Sequence, residues 1–154
     1  MSNEKSEHTV GEMKISGLDV SGITTRNVHA ALIPSYPYCS FEGSWGDDEN
    51  MRLGIYSLIK KDDVYNVHHP EGDGLAKVYY QGKGLNYHGV SGTITITDFD
   101  SELQKANVYV DMSMGSYESE DTKSVRIEGE FVGFKIYEKN SPEGLALIDK
   151  GKIS

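Results

Sequence analysis

The sequence predicts an all-β protein, an antiparallel β-sandwich of about eight or nine short strands, with a closed β-barrel as the alternative. Three observations predict it. Two alternating segments flank one polar turn. Gly92-Thr-Ile-Thr-Ile-Thr-Asp98 sets Ile94 and Ile96 against Thr93, Thr95 and Thr97, and after the turn Val108, Val110, Met112 and Met114 alternate with Tyr109, Asp111 and Ser113. A period of two on both sides of a short polar turn means half-buried strands paired as a hairpin. Turn signals then recur roughly every eight to twelve residues, the spacing of sandwiches and barrels. Finally, 17 glycines and 10 tyrosines against 4 prolines suit many short strands joined by tight turns. No long segment repeats with a period of 3.6, and the chain has no internal repeat.

Taken in order, residues 1–9 are polar and read as a flexible N-terminal tail, and residues 10–154 as a single antiparallel β domain. A first short strand falls at 10–15 and a turn at 16–22. Residues 27–33 read as a strand closed by Pro34 and Pro37, and 38–45 as the next. A turn at 46–50 precedes a strand over 52–59. Residues 64–74 are the longest irregular stretch. Residues 75–81 read as a strand and 82–92 as a glycine-rich connection into the hairpin. An acidic loop covers 115–122. The longest strand candidate is 125–137, and its phase slips inside: Val125, Ile127 and Phe131 are odd, whereas Val132, Phe134 and Ile136 are even. A bulge or bend between Gly129 and Gly133 would absorb the slip. Beyond Ser141 and Pro142, residues 144–148 offer one last short strand or helical turn.

Charge and cysteine content narrow the function. The net charge is −9, which repels phosphate backbones and anionic membrane, so no nucleic-acid partner is expected. A basic protein partner or a cation suits it. The single Cys39 forms no intrachain disulfide, so the core must hold the fold and a reducing compartment is allowed. The N-terminal residues have no apolar h-region, and no apolar run reaches the length of a membrane span. The expected location is cytoplasmic; a leader trimmed ahead of Met1 would make the protein an exported one.

Four groups of residues bear on chemistry. His68, His69, Glu71 and Asp73 are the densest set of metal-ligating types, suited to zinc, and a metal-dependent hydrolase centred on them is one alternative. Adjacent histidines on an extended backbone face opposite ways, which argues for a solvated loop instead. Asp98, Asp100 and Glu102 resemble the start of a calcium loop but lack its central glycine and distal glutamate, and read as a hairpin turn. No Gly-x-Ser-x-Gly elbow accompanies the serines and histidines, Cys39 reads as a buried inert thiol, and no motif requires a cofactor. The remaining group is aromatic and acidic. Tyr36, Tyr38, Phe41 and Trp45 crowd around two prolines, and Tyr79, Tyr80 and Tyr87 flank the glycine-rich connection. Asp47, Asp48 and Glu49, with Glu118, Glu120 and Asp121, are acidic turns that form one face if the loops gather at one end. Tyrosine beside loops supplies contact area at low entropic cost, whereas the alternative reading is that these rings plug the ends of the sheet or barrel, since aromatic residues are favoured in strands.

The segment from Gly92 to Asp100, with its following strand pair, resembles the hairpin of small uncharacterised all-β bacterial proteins, several of them lipoprotein-like. The likeness covers residues 89–134; the leader and the lipidated cysteine of those proteins are missing here. By profile alone (small, acidic, motif-free) the chain is similar to bacterial immunity proteins, which block a toxin by binding it. The reading that follows is a non-enzymatic protein that docks a partner through acidic loops and exposed tyrosines, as an inhibitor or immunity protein for a basic toxin or enzyme. The alternative is a lipid- or sugar-binding barrel or sandwich. Unpaired edge strands leave a homodimer open.

Overall fold

The computed structural model describes residues 9–18, 22–33, 37–69, 74–116 and 120–136. All its regular elements are strands: β1 (Val10–Ser16), β2 (Ile23–Thr25), β3 (Val28–Ile33), β4 (Tyr38–Trp45), β5 (Glu49–Ile55), β6 (Val64–Asn66), β7 (Ala76–Gly82), β8 (Leu85–Asp100), β9 (Lys105–Ser116), β10 (Thr122–Val132) and β11 (Lys135–Ile136). The predicted all-β class holds. The strands form one hydrogen-bonded path, β11-β3-β4-β5-β7-β8-β9-β10-β1-β2, with β6 laid against β8. Among the described residues every strand pairing is antiparallel except β11 on β3, and one isolated parallel bridge joins Val67 to Ala76. The path is a single sheet curled into a half-barrel.

Alternation dictates the curl. Each strand turns one apolar row inward: Met13 and Ile15 from β1, Phe41 from β4, Leu53 from β5, Val78 from β7, Ile94 and Ile96 from β8, Val108 and Val110 from β9, Ile127 and Phe131 from β10. A sheet with one such row buries it by closing on itself. Phe41 and Phe131 lie on strands far apart along the path, yet their rings meet at 4.8 Å. Where the ends of the sheet approach, side chains replace the strand ladder. Thr9 Oγ1 donates to the Gly133 carbonyl (2.7 Å) and accepts from the Ala30 N–H of β3 (2.9 Å). Thr25 Oγ1 donates to the Ser44 carbonyl of β4 (2.6 Å).

Several sequence expectations are corrected. β5 begins at Glu49 rather than Arg52, because Trp45 pairs directly with Glu49 around a tight turn, and it ends at Ile55. Residues 85–92, read as a connection, are the first half of the 16-residue β8. Its glycines signal bulges instead: the β8–β9 register shifts between Gly89 and Ser91 and again between Ile96 and Asp98. Gly92 has φ +124°, and a Cβ there would meet the Asp111 carbonyl at 2.3 Å. The slip expected between Gly129 and Gly133 occurs only at its far end. β10 keeps unbroken register with β1 and β9 through Gly129. Gly133, with φ +92°, then turns the chain across to β3. Gln104 supports that turn, its carbonyl accepting from Gly133 N–H (2.7 Å) and its Oε1 from Phe134 N–H (3.3 Å).

Candidate functional site

Register places three turns at one end of the half-barrel. Trp45 pairs with Glu49 around residues 46–48, and Gly82 pairs with Leu85 around Lys83 and Gly84. Asn50 opposite Gln81 and Tyr87 opposite Ser116 put these beside the β9–β10 connection, whose last ladder pair is Gly115 with Thr122. Asp47, Asp48, Glu49, Glu120 and Asp121 all lie at that end, with Lys83 and Lys123 beside them. Asp47, Asp48, Glu120 and Asp121 are exposed.

Below this rim a row of rings closes the mouth of the barrel. Trp45 stacks on Tyr80 (centroids 6.0 Å apart, planes at 25°), and Tyr80 meets Tyr87 at 6.2 Å. Lys123 Nζ lies 5.6 Å from the Tyr87 centroid, a cation–π contact. The Tyr80 hydroxyl donates to Glu49 Oε1 (2.9 Å). Gly82 makes the approach feasible, since a Cβ there would sit 2.5 Å from Glu49 Cγ and 2.8 Å from the Tyr80 hydroxyl. Burial, then the bond to the Glu49 carboxylate and its charge, push the Tyr80 phenol above its ordinary pKa. Tyr80 is therefore a neutral donor across the physiological range.

Of the two readings of the tyrosines, an exposed contact surface or rings that plug the end of the sheet, the second describes Tyr80 and Tyr87. Tyr80 and Tyr87 are 6% and 8% exposed and plug the mouth, and only Trp45 of that row is half-buried. Tyr38 and Tyr79 face the opposite side of the sheet, because each is one residue out of phase with the inward row. Tyr38 packs on Tyr56 at 4.7 Å, and Tyr79 lies under the Arg52 guanidinium at 5.5 Å; both are buried. Tyr36, Glu71, Asp73 and Glu118 lie outside the described residues. The two histidines of the metal-type cluster diverge: His69 packs edge-on against His88 at 4.7 Å, while the His68 ring fills the space above Gly74. Among the described residues no three His, Cys, Asp or Glu side chains converge as metal ligands. Asp100 Oδ1 accepts from the Glu102 and Leu103 N–H groups at 3.0 and 3.1 Å, which makes that acidic run a hairpin turn. Cys39 is fully buried, and burial holds its thiol far above the ordinary range, as expected of an inert cysteine.

The outer wall of β9, β10, β1 and β2 carries two adjoining grooves that the sequence reading missed. One, of about 300 Å³, lies between Glu12, Glu130 and Asn107; the other, of about 530 Å³, runs on past Ile23 and Arg126, and both include Lys14, Tyr109 and Glu128. The only signal in the sequence is the polar half of the alternation, which reads as ordinary solvated surface until the strands are set side by side.

No family model matches the chain, and neither a curated protein nor a solved structure is found to be similar to it. Among the described residues no helix is long and apolar enough to cross a membrane.

Proposed function

We propose that this chain is a non-enzymatic binding protein that docks a basic protein partner at the mouth of the half-barrel, as an inhibitor or immunity protein does. The observation that carries the reading is the gathering of five carboxylates from separate turns onto one rim beside two lysines, with the half-buried Trp45 at its edge. A net negative rim attracts a basic surface over the Debye length, and a tryptophan next to it supplies the apolar anchor such interfaces centre on. The packed tyrosines below hold the rim rigid, which lowers the ordering cost of docking. The test is a pull-down from the source organism's lysate, with the protein tagged and washed at low and then high salt. A basic protein kept at low salt, released at high salt and lost with the Asp47→Lys/Asp48→Lys variant supports the proposal. An empty capture at both salts, or capture indifferent to the variant, overturns it.

A further inference from the structure

β3 differs from the hairpin strands in having no alternation. Ala30, Ala31, Leu32 and Ile33 form an unbroken apolar run, the pattern of a strand covered on both faces. Burial agrees. Ala31 and Ile33 are out of phase with the inward row and are nonetheless 0% exposed. Cross-strand register sets Ile33 beside Tyr38 and Ala31 beside Ser40 on β4, Ser40 beside Gly54 on β5, and Arg52 of β5 beside Tyr79 of β7. Tyr38, Ser40 and Tyr79 are buried as well. Yet Ala31, Ile33, Tyr38 and Tyr79 stand apart from the core inside the half-barrel. They make a second buried layer, on the outer face of β3, β4, β5 and β7. Among the described residues no strand packs extensively across that face: the main contacts of these four strands are with their ladder neighbours and, at the seam, with β1, β2 and β10.

We infer that this face is the docking surface for the chain's own residues 137–154. β11 points to it: Lys135 and Ile136 run parallel to β3 opposite Ala31 and Leu32, so where β11 ends the chain is heading for the level of Ile33, at the edge of the buried layer. The segment carries the apolar run Leu145, Ala146, Leu147 and Ile148 that such a layer calls for. Four strands at a spacing of about 4.8 Å make a face about 14 Å wide, which an extended chain rising about 3.3 Å per residue crosses in about five residues. The other stretches outside the described residues do not suit it. Residues 19–21, 34–36, 70–73 and 117–119 are tied at both ends and too short to cross and return, and residues 1–8 are polar apart from Met1. Charge agrees with the assignment. Arg52 and Lys77, over the Tyr79 and Tyr56 rings, outnumber Glu42, the one carboxylate on this face among the described residues of the four strands, and Glu143 and Asp149 flank the apolar run. The face lies on the outer wall, and the inference stands or falls independently of docking at the rim.

The test uses the full chain in solution. Nuclear Overhauser contacts are expected between the methyl groups of Leu145, Leu147 or Ile148 and the rings of Tyr38 or Tyr79. In an equal mixture of isotope-labelled and unlabelled protein, these contacts are expected within one chain. Contacts found only between chains would assign the face to a second copy and overturn the inference, and so would the absence of any contact. A second measurement is hydroxyl-radical footprinting of the Leu145→Asp/Leu147→Asp variant, resolved to single residues by mass spectrometry. Labelling of Tyr38 and Tyr79 is expected to rise severalfold while that of Tyr80 stays at the wild-type level, because Tyr80 belongs to the core inside the half-barrel and losing the cover opens only the outer layer. Unchanged labelling of Tyr38 and Tyr79 overturns the inference. The contacts in the wild-type chain decide it even where the variant fails to fold.

Discussion

Cys39 shows at the scale of one residue how burial sets chemistry. It sits on β4 in register with Leu32 on one side and Ile55 on the other, and is 1% exposed. Burial alone raises its thiol pKa, because the thiolate would lose its hydration with no charge nearby to replace it. Burial is also the largest cause of the raised phenols of Tyr38 and Tyr80. The sign follows from linkage. These groups stay neutral in the fold but ionise in the unfolded chain, so the stability they contribute is complete below their unfolded pKa values and is lost as pH rises through the folded ones. The expected profile of urea midpoint against pH is level up to about 8, falls from about 8.5 as unfolded Cys39 ionises, and steepens past about 10 with the tyrosines. Cys39→Ala should lower the plateau by opening a small cavity but move the onset of the fall to about pH 10. An onset unchanged by that variant would mean the thiol is not the group responsible. In the wild type, a thiol reagent should react only as fast as the protein opens.

At the scale of elements, the edges of the curled sheet are joined by side chains, and Thr9 is the clearest case. One hydroxyl ties β3 to the turn after β10, satisfying the Ala30 N–H and the Gly133 carbonyl together. Thr9→Val keeps the shape and strands both groups, at an expected cost of about 2–3 kcal/mol, while Thr9→Ser should recover most of it. Equilibrium urea unfolding of the two variants checks this, and a Val variant as stable as wild type would show that the seam closes by apolar packing alone. Such a latch is invisible to periodicity, since Thr9 lies in the polar stretch read as a tail. Strands whose inward residues are large and regular were legible: β4 falls on 38–45 as expected, and the rows Ile94–Ile96 and Val108–Met114 face inward as their phase requires. What failed was glycine. In residues 82–92 it signals a turn only at Gly84; Gly89 and Gly92 lie inside β8, where Val67 and the Asp111 carbonyl come too close for any Cβ. β2, β6 and β11, at two or three residues each, are too short to leave a period. The site was legible in the same uneven way. Acidic turns on alternate hairpins must share an end, but Tyr79 and Tyr80 are neighbours on one strand and cannot both face the mouth.

For the whole molecule, the decisive quantity is a net charge of −9 on a fold whose core is built almost wholly of apolar side chains among the described residues. Among the described residues the salt bridges are Lys14–Glu12, Arg26–Glu12, Lys105–Asp98 and Arg126–Asp111, all at 3.4–4.0 Å and all with at least one well-exposed partner. Each such pair contributes at most about 1 kcal/mol, and salt screens what it contributes. Like charges oppose them: Glu12 faces Glu130 across a ladder, and five carboxylates share the rim. The facing pair cannot be read from the sequence, because it arises from register between β1 and β10, strands distant along the chain. Salt screens both signs alike, so its net effect reports which sign dominates. Raising sodium chloride from low to about 0.3 M is therefore expected to increase the melting temperature by about 2–4 °C, the equivalent of about 1 kcal/mol for a chain of this length. Glu130→Gln should raise stability at low salt and blunt the salt response, since it removes one member of the facing pair. A melting temperature that falls as salt is added would mean the exposed pairs outweigh the repulsion. The rim carboxylates that destabilise the free protein are the ones that the proposed partner's basic surface would meet, so such a partner should stabilise the fold most where salt is lowest.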